Sequence, residues 1–339
     1  MTQLESARMG VATAEMKAVA LAQDARRHRG APLRRPLLHV RKGVLRRAHI
    51  GPHAETCRER HFFRGRQMNR IRPCCLTVAG SDSGGNAGVQ ADLRTFHAYG
   101  LHGCTVFAAL TAQNPGNVSA VHQVPAAFVA AQLDAVLGVY DIVALKTGML
   151  SDCSVIETVA EKLISCHGIA KVVDPVMVAT SGVRLVGKDA VEALKKRLLP
   201  LADIITPNIP EVEVLSGVKI ATGTDIREAA RRLNGEYGCA VLVKGGHFTG
   251  PVAEDILFDG KEFSVFSMPW IENPISTHGT GCTLAAAITS EIALGNGLKE
   301  AVAGAKRHVY EAIASSYTIG PSCGVLGFVA NNKQLTKNS

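Results

Sequence analysis

From residue 74 onward, short apolar runs alternate with longer stretches in which apolar residues recur every three or four positions. The runs are Cys74–Ala79, Gly103–Leu110, Ile142–Gly148, Lys171–Met177, Ala202–Asn208 and Cys239–Gly246. Near-continuous apolar segments of this length suit strands buried on both faces. Helical spacing occupies Val89–Tyr99, Pro125–Leu137, a stretch from Ser151 or Asp152 to about Ser165, Lys188–Leu199, a helix opening at Glu211–Leu215, Asp225–Tyr237 with Asp225 as its cap, and Leu298–Tyr317. A pair of strands near Ala253–Phe258 and Glu262–Met268 reads as a small hairpin turning at Asp259-Gly260. Strand followed by helix, repeated along the chain, predicts an α/β fold: a mostly parallel central sheet with helices on both faces. Sheets of this kind bind ligands at the carboxyl ends of their strands. Asp82, Gln113, Lys146, Asp174, Asn208 and Lys244 all fall at such ends. The pattern therefore predicts one shared polar rim.

Two stretches break the apolar pattern with glycine. Gly80-Ser81-Asp82-Ser83-Gly84-Gly85-Asn86-Ala87-Gly88 joins the first strand to the first helix. It lacks the G-x-G-x-x-G spacing of dinucleotide sites, and reads equally as a small-ligand loop or as a tight turn with a helix cap. The second, Ser276-Thr277-His278-Gly279-Thr280-Gly281-Cys282-Thr283, leads into the apolar helix formers Leu284–Ile288. A helix N-terminus offers unpaired N–H groups and the positive end of the helix dipole, and glycine lets an anion approach the backbone. This stretch is expected to handle a phosphoryl group, with Cys282 facing its acceptor.

Charge then divides the chain. Residues 1–67 hold 15 Lys and Arg against 5 Asp and Glu, and residues 68–339 hold 22 against 24, so the overall net charge of +8 belongs to the leader. The near-neutral body argues against a nucleic-acid-binding domain. For the leader three readings stand: a basic arm, an organellar transit peptide, and a non-native or disordered segment without a role in the chemistry. Met68 directly precedes the first good strand. The domain reading is thus 1–67 leader and 68–339 catalytic domain. Nine scattered cysteines without a C-x-x-C pair suggest neither a disulfide framework nor a zinc site, and fit a cytoplasmic setting. No apolar run is long enough to span a membrane.

Eight ordered motifs carry a family resemblance: Gly80–Ser83, Gln90–Leu93, Ala109–Asn114, Lys146–Leu150, Asp174–Met177, Thr206–Glu211, Val243–His247 and His278–Thr283. Over roughly residues 74–328 the chain resembles the hydroxymethylpyrimidine/phosphomethylpyrimidine kinases of thiamine biosynthesis, in the ribokinase-like superfamily. The resemblance implies two sequential phosphorylations dependent on ATP and Mg²⁺. The first falls on the hydroxymethyl group of 4-amino-5-hydroxymethyl-2-methylpyrimidine and the second on its monophosphate. It implies an anion hole from Gly279, Thr280, Gly281 and Cys282, a phosphate contact from Lys244, and a Mg²⁺ side formed by Asp174, Asn208 and Glu211. Two acids suffice there, because Mg²⁺ completes its shell with phosphate and water. Asp92 and Gln113 match the pair that reads the pyrimidine, with Gly80, Ala87, Thr111, Met149 and Val176 as pocket positions. Cys282 stands where related sugar kinases carry an aspartate base. A helix N-terminus lowers a thiol pKa, so a thiolate base is expected, the other reading being a thiol that only orients the acceptor. A homodimer is implied by resemblance alone. A vitamin B6 kinase is the near alternative, and a non-catalytic binding protein the distant one. The first glycine loop departs from the family pattern at Ser83–Gly88 with Asn86, and the tail Gly324-Val325-Leu326-Gly327-Phe328 lacks the family's usual polar residues.

Overall fold

The strands do pair as one sheet, and it is wider than the apolar runs alone suggest. The structure, a computed structural model, describes residues 72–177, 187–245, 252–320 and 323–328. The leader 1–67 and His247 lie outside the described residues, which all fall within the compact unit Gln67–Ser339. In chain order the strands are β1 (Cys74–Asp82), β2 (His102–Asn114), β3 (Asn117–Gln123), β4 (Ile142–Thr147), β5 (Ala170–Val173), β6 (Ile204–Ile205), β7 (Ala240–Lys244), β8 (Val252–Phe258) and β9 (Phe263–Pro269). They form a nine-stranded sheet in the order β3-β2-β1-β4-β5-β6-β7-β8-β9. From β2 to β7 neighbouring strands run parallel, whereas β3, β8 and β9 each join antiparallel. A separate small ribbon pairs β10 (Tyr317–Ile319) with β11 (Cys323–Val325).

The helices are α1 (Gly88–Ala98), α2 (Ala126–Leu137), α3 (Cys153–Ile164), α4 (Lys188–Ala193), α5 (Ile209–Ser216), α6 (Gly223–Tyr237), α7 (Thr280–Ala293) and α8 (Leu298–Ala314). Successive strand residues face opposite layers. Leu76, Leu145, Val173 and Ile205 pack with α2, α3, α4 and α6 into one core. Cys75, Ala144, Val172 and Ile204 pack with α1, α7 and α8 into the other. The two-face burial predicted from the apolar runs is thus realised strand by strand.

Five local expectations need correction. The last helix, expected over Leu298–Tyr317, stops at Ala314, with Tyr317 opening β10. The strand β3 was not foreseen, because Asn117–Gln123 is polar and largely exposed at the sheet edge. The helix expected over Lys188–Leu199 ends at Ala193 and continues as a π turn, Leu194–Leu198, and a short 3₁₀ turn, Leu199–Leu201. The cap of α6 is Thr222, whose hydroxyl accepts from Asp225 N, and Asp225 answers from the third position of a capping box. The strands β8 and β9 join the main sheet, and their connection spans four residues, closed by the Phe258–Phe263 pair. Asp259 carries that loop by accepting from Lys261 N and Glu262 N at 2.9 and 2.8 Å.

Candidate active site

At the end of β1 the chain must turn sharply into α1, and Asp82 organises the turn. Its buried carboxylate accepts the N–H groups of Gly84, Asn86 and Ala87 at 2.8, 2.9 and 2.8 Å. Burial alone would raise the carboxyl pKa, but His278 and those three amides overcome it, and the pKa lies below the usual carboxylate range. Gln90 pins the same turn from α1, accepting from Asp82 N and donating to Ser81 Oγ. The second glycine loop is pressed against the first. Gly279 has φ +87° and stands so close to Asn86 that a Cβ would lie 2.1 Å from the Asn86 carbonyl oxygen. Only glycine accepts both that backbone and that approach. His278 Nε2 reaches 3.7 Å from Asp82 and 3.5 Å from Gln113 Nε2, joining the loops from the other side.

Gly279 is also the N-cap of α7, and no side chain caps this helix. The first-turn amides lack intrahelical acceptors; Thr280 N–H turns back to Thr277 O at 3.4 Å, and among the described residues the Gly281 and Cys282 amides have no backbone acceptor outside the helix. A Cβ at Gly281 would lie 3.6 Å from Lys244 Nζ and 3.9 Å from Asp174 Oδ2. The α7 terminus therefore meets a charged cluster at the ends of β5, β6 and β7. Lys244 Nζ donates to Asp174 Oδ1 at 2.7 Å and stands 3.9 Å from Glu211 Oε2. Thr206 donates to the same Asp174 oxygen at 3.0 Å, leaving Oδ2 on the α7 side. Burial pulls the Lys244 ammonium pKa down, yet Asp174 and Glu211 more than offset it and hold the ammonium charged. Burial pushes the Glu211 carboxyl pKa upward, with Asp174 adding and Lys244 opposing.

The spacing Asn208-x-x-Glu211 has a direct local cause. Asn208 Oδ1 accepts from Glu211 N at 2.9 Å, and Glu211 Oε2 accepts from Asn208 N at 2.8 Å, a reciprocal capping box that starts α5. It aims Glu211 into the cluster, and Met177 N adds a third restraint at 3.3 Å. Two buried acids, one with a raised pKa, fit a hard divalent cation that takes its other ligands from phosphate and water. Among the described residues no group of three or more His, Cys, Asp or Glu could form an all-protein cage.

Across the crevice lie the expected pocket positions. Met149 covers Gly80 so closely that a Cβ on Gly80 would collide with the methionine methyl. Thr111 donates to Ser81 O at 2.8 Å and approaches Gln113 Oε1 at 3.1 Å. Ala87 follows the Asp82 turn, and Val176 lines a small apolar cavity with Gly148, Leu150, Pro175 and Leu194. Asp92 differs from these. Its side chain has no exposure: Oδ1 accepts from Lys146 Nζ at 2.8 Å and Oδ2 from Thr77 Oγ1 at 2.6 Å. Its two oxygens are engaged beneath the pocket.

The thiol expectation is corrected. Burial pushes Cys282 up to about 11, with Asp92 and Asp174 adding to the rise while Lys146 and the Gly88 N–H oppose it. The helix terminus is present, but the desolvation and the two carboxylates outweigh it. The residue the sequence undervalued is Lys146, noted there as a strand end and as the start of the motif Lys146–Leu150 but given no role. A lysine inside the apolar run Ile142–Thr147 was the available signal, since lysine is almost never fully buried without a partner.

With the geometry in place, the likenesses to known proteins become informative. The family model described as phosphomethylpyrimidine kinase matches residues 82–327. The chain is 48% identical over 258 residues to the thiamine biosynthesis bifunctional protein ThiED of Geobacter sulfurreducens, covering 76% of this chain and 52% of that one. It thus spans about half of that two-function protein. It is 43% identical over 254 residues to the hydroxymethylpyrimidine/phosphomethylpyrimidine kinase of Haemophilus influenzae, covering 74% of this chain and 94% of the relative. Among solved structures, the pyridoxal kinase from Staphylococcus aureus in complex with AMP-PCP and pyridoxal superposes with a TM-score of 0.70 at 33% identity. That likeness covers 78% of this chain and 96% of the other.

Proposed function

The chain belongs to the phosphomethylpyrimidine kinase family, and on that premise we propose that it transfers the terminal phosphoryl group of ATP twice. The first acceptor is the hydroxymethyl oxygen of a hydroxymethylpyrimidine, and the second is the phosphate of the monophosphate so formed. One observation supports this above the rest: the uncapped N-terminus of α7 faces the Lys244–Asp174–Glu211 cluster across Gly281.

Phosphoryl transfer is mainly positioning and charge neutralisation. The amides of Gly279, Gly281 and Cys282, with Thr280 once its N–H leaves Thr277 O, hydrogen-bond the oxygens of the moving group, where negative charge spreads in the transition state. Lys244 adds a point charge to the same oxygens. Asp174 and Glu211, with Asn208 bracing Glu211, hold Mg²⁺, which supplies charge neutralisation for the nucleotide phosphates. Gln113, with a donor and an acceptor, reads the polar edge of the pyrimidine. Gly80, Ala87, Thr111, Met149 and Val176 wall its ring, and Asp92 fixes the floor beneath.

Cys282 faces the acceptor oxygen. In the first step the O–P bond forms as the bond to the ADP oxygen breaks, and the hydroxymethyl proton leaves to the Cys282 sulfur in the small fraction present as thiolate, the thiol being pushed up to about 11 by burial. In the second step the acceptor is already an anion and needs no such base.

The pyridoxal kinase likeness supports one further acceptor, the hydroxymethyl group of a B6 vitamer, on the same scaffold. Relative kcat/KM with ATP for hydroxymethylpyrimidine and pyridoxal tests the choice. A higher value for the pyrimidine is expected, and a higher value for pyridoxal would reverse the assignment. No helix among the described residues is long and apolar enough to cross a membrane.

A further inference from the structure

We propose that Asp255, clamped by Lys306, is a positioning residue of the transfer site: it fixes the peptide that follows Lys244 and so aims the Lys244 ammonium. Strand β7 ends at Lys244, which is held from both sides. Toward β6, Lys244 N donates to Pro207 O at 2.9 Å. Toward β8, Lys244 is the last residue of β7 in register, opposite Asp255. One residue later the ladder has stopped, and Gly245 N donates instead to Asp255 Oδ1 at 3.0 Å. Gly245 also lies against β8 so closely that a Cβ would collide with the Glu254 carbonyl oxygen. The Asp255 side chain thus extends the hold of β8 on β7 by one residue, at the point where Lys244 enters the site.

The other carboxylate oxygen is taken from the helix layer. Asp255 Oδ2 accepts from Lys306 Nζ of α8 at 2.7 Å, and both side chains are nearly enclosed. Leu242 and Leu257 pair two residues before Lys244 and Asp255, and both pack under α7 and α8. Strand residues two apart share a face, so Lys244 and Asp255 emerge on the same side of the sheet. A free carboxylate there would compete with Asp174 and Glu211 for the Lys244 ammonium. With Gly245 N and Lys306 Nζ on its two oxygens, Asp255 is engaged, and Lys244 Nζ stays 2.7 Å from Asp174 and 3.9 Å from Glu211.

The fold alone does not call for this pair. A buried ion pair contributes little net stability over apolar side chains of similar volume. What apolar side chains do not supply is an acceptor for the Gly245 N–H. A buried amide without one is costly, and the chain end relieves that cost by shifting. Transfer rates respond to such shifts, since a misplacement of about 1 Å can cost about 10²-fold. Asp255 therefore acts on the transfer through Lys244, and Lys306 acts by keeping Asp255 neutralised and oriented.

This inference rests on the reading of Lys244 as a phosphate contact, so its test includes a readout independent of any substrate. Two neutral double variants of the full chain separate the acceptor from the charges. Asp255→Asn with Lys306→Met removes both charges and keeps an acceptor for the Gly245 N–H. Asp255→Leu with Lys306→Met removes the acceptor as well, and Asp255→Ala with Lys306→Met gives the same comparison if the leucine variant is not recovered folded. Acetylation of Lys244 by acetic anhydride would be followed by peptide mass spectrometry relative to the exposed Lys188, beside kcat and KM for the pyrimidine with ATP. In the leucine variant Lys244 should acetylate about threefold or more faster, because an ammonium released from its carboxylates loses its proton more readily. Its kcat should fall by about tenfold or more with little change in KM for the pyrimidine, and the asparagine variant should stay near wild type in both measurements. Equal acetylation of Lys244 in all the folded proteins would overturn the inference, whatever the kinase assay shows. Equal losses in the asparagine and leucine variants would overturn the anchoring of Gly245, and faster acetylation with unchanged kcat would overturn the role in transfer. A wild-type chain inactive toward the pyrimidine would count against the functional reading alone, with the acetylation comparison still deciding the inference.

Discussion

Cys282 and Gly279 stand three residues apart and make different demands. Gly279 is fixed by backbone geometry: its φ of +87° and the nearby Asn86 carbonyl leave no room for a side chain. Gly279→Ala should therefore move the start of α7 and abolish most transfer, while nucleotide-independent folding, followed by far-ultraviolet circular dichroism, is retained. Near-normal activity would show that the loop contact is dispensable. Cys282 is fixed by chemistry. With its thiol pushed up to about 11, little thiolate exists at neutral pH before substrate binds. Cys282→Ala is expected to slow the first phosphorylation by about 10²-fold and the second by clearly less, in single-turnover assays. Equal losses would remove the base role and leave the thiol an orienting group. At this scale the sequence exposed most of the site, because strand ends and glycine loops carry their polar residues in the open. What it hid was pairing. Nothing in the run Ile142–Thr147 says that Lys146 closes on Asp92, or that Asp92 is enclosed, because those partners lie 54 positions apart.

Among the elements, α8 makes the clearest physical prediction. His308 packs on Tyr99 at 5.1 Å between ring centroids, and among the described residues its Nε2 has no hydrogen-bond partner. Burial drops its pKa to about 4, below the value near 6.5 in an unfolded chain. The unfolded state therefore binds more protons between these limits. The stability contribution is complete above about pH 6.5 and is lost as pH falls toward about 4, by up to about 3 kcal/mol. Urea midpoints measured across that window should fall more steeply for wild type than for His308→Phe. Parallel curves would contradict the assignment. The element boundaries were legible where capping chemistry or apolar runs were strong, as at Asp152, which accepts from Val155 N at the start of α3. They were not legible where tertiary packing decides. The strand β6 is reduced to Ile204–Ile205 between two parallel neighbours. The strand β3 survives on ladder hydrogen bonds to β2 rather than on apolar content. The π turn after α4 has no local sequence signature that separates it from ordinary helix.

On the scale of the whole molecule, strand order explains why residues so far apart in sequence share one crevice. The chain winds outward from β1 to β2 and β3, then returns to place β4 on the other flank of β1. Brought to this switch point are the Asp82 turn, Gln113 and Met149, with Lys146 beneath them. The remaining parallel strands β5, β6 and β7 deliver Asp174, Thr206 and Lys244 beside them. The parallel centre and its ligand edge were foreseeable from alternating strand and helix patterns. Of the antiparallel margins, β8 and β9 were foreseen as a hairpin without a place in the sheet and β3 was not foreseen, since local sequence does not record which sheet edge a strand joins.

The central claim is that one crevice performs both phosphorylations. Its most direct test is a time course of the purified full chain with ATP, Mg²⁺ and hydroxymethylpyrimidine, with phosphorylated products resolved by phosphorus NMR. The monophosphate should appear first and then convert to the diphosphate, with one ADP formed per phosphoryl group transferred. Formation of ADP without a phosphorylated pyrimidine, or a monophosphate that never converts under excess ATP, would contradict it.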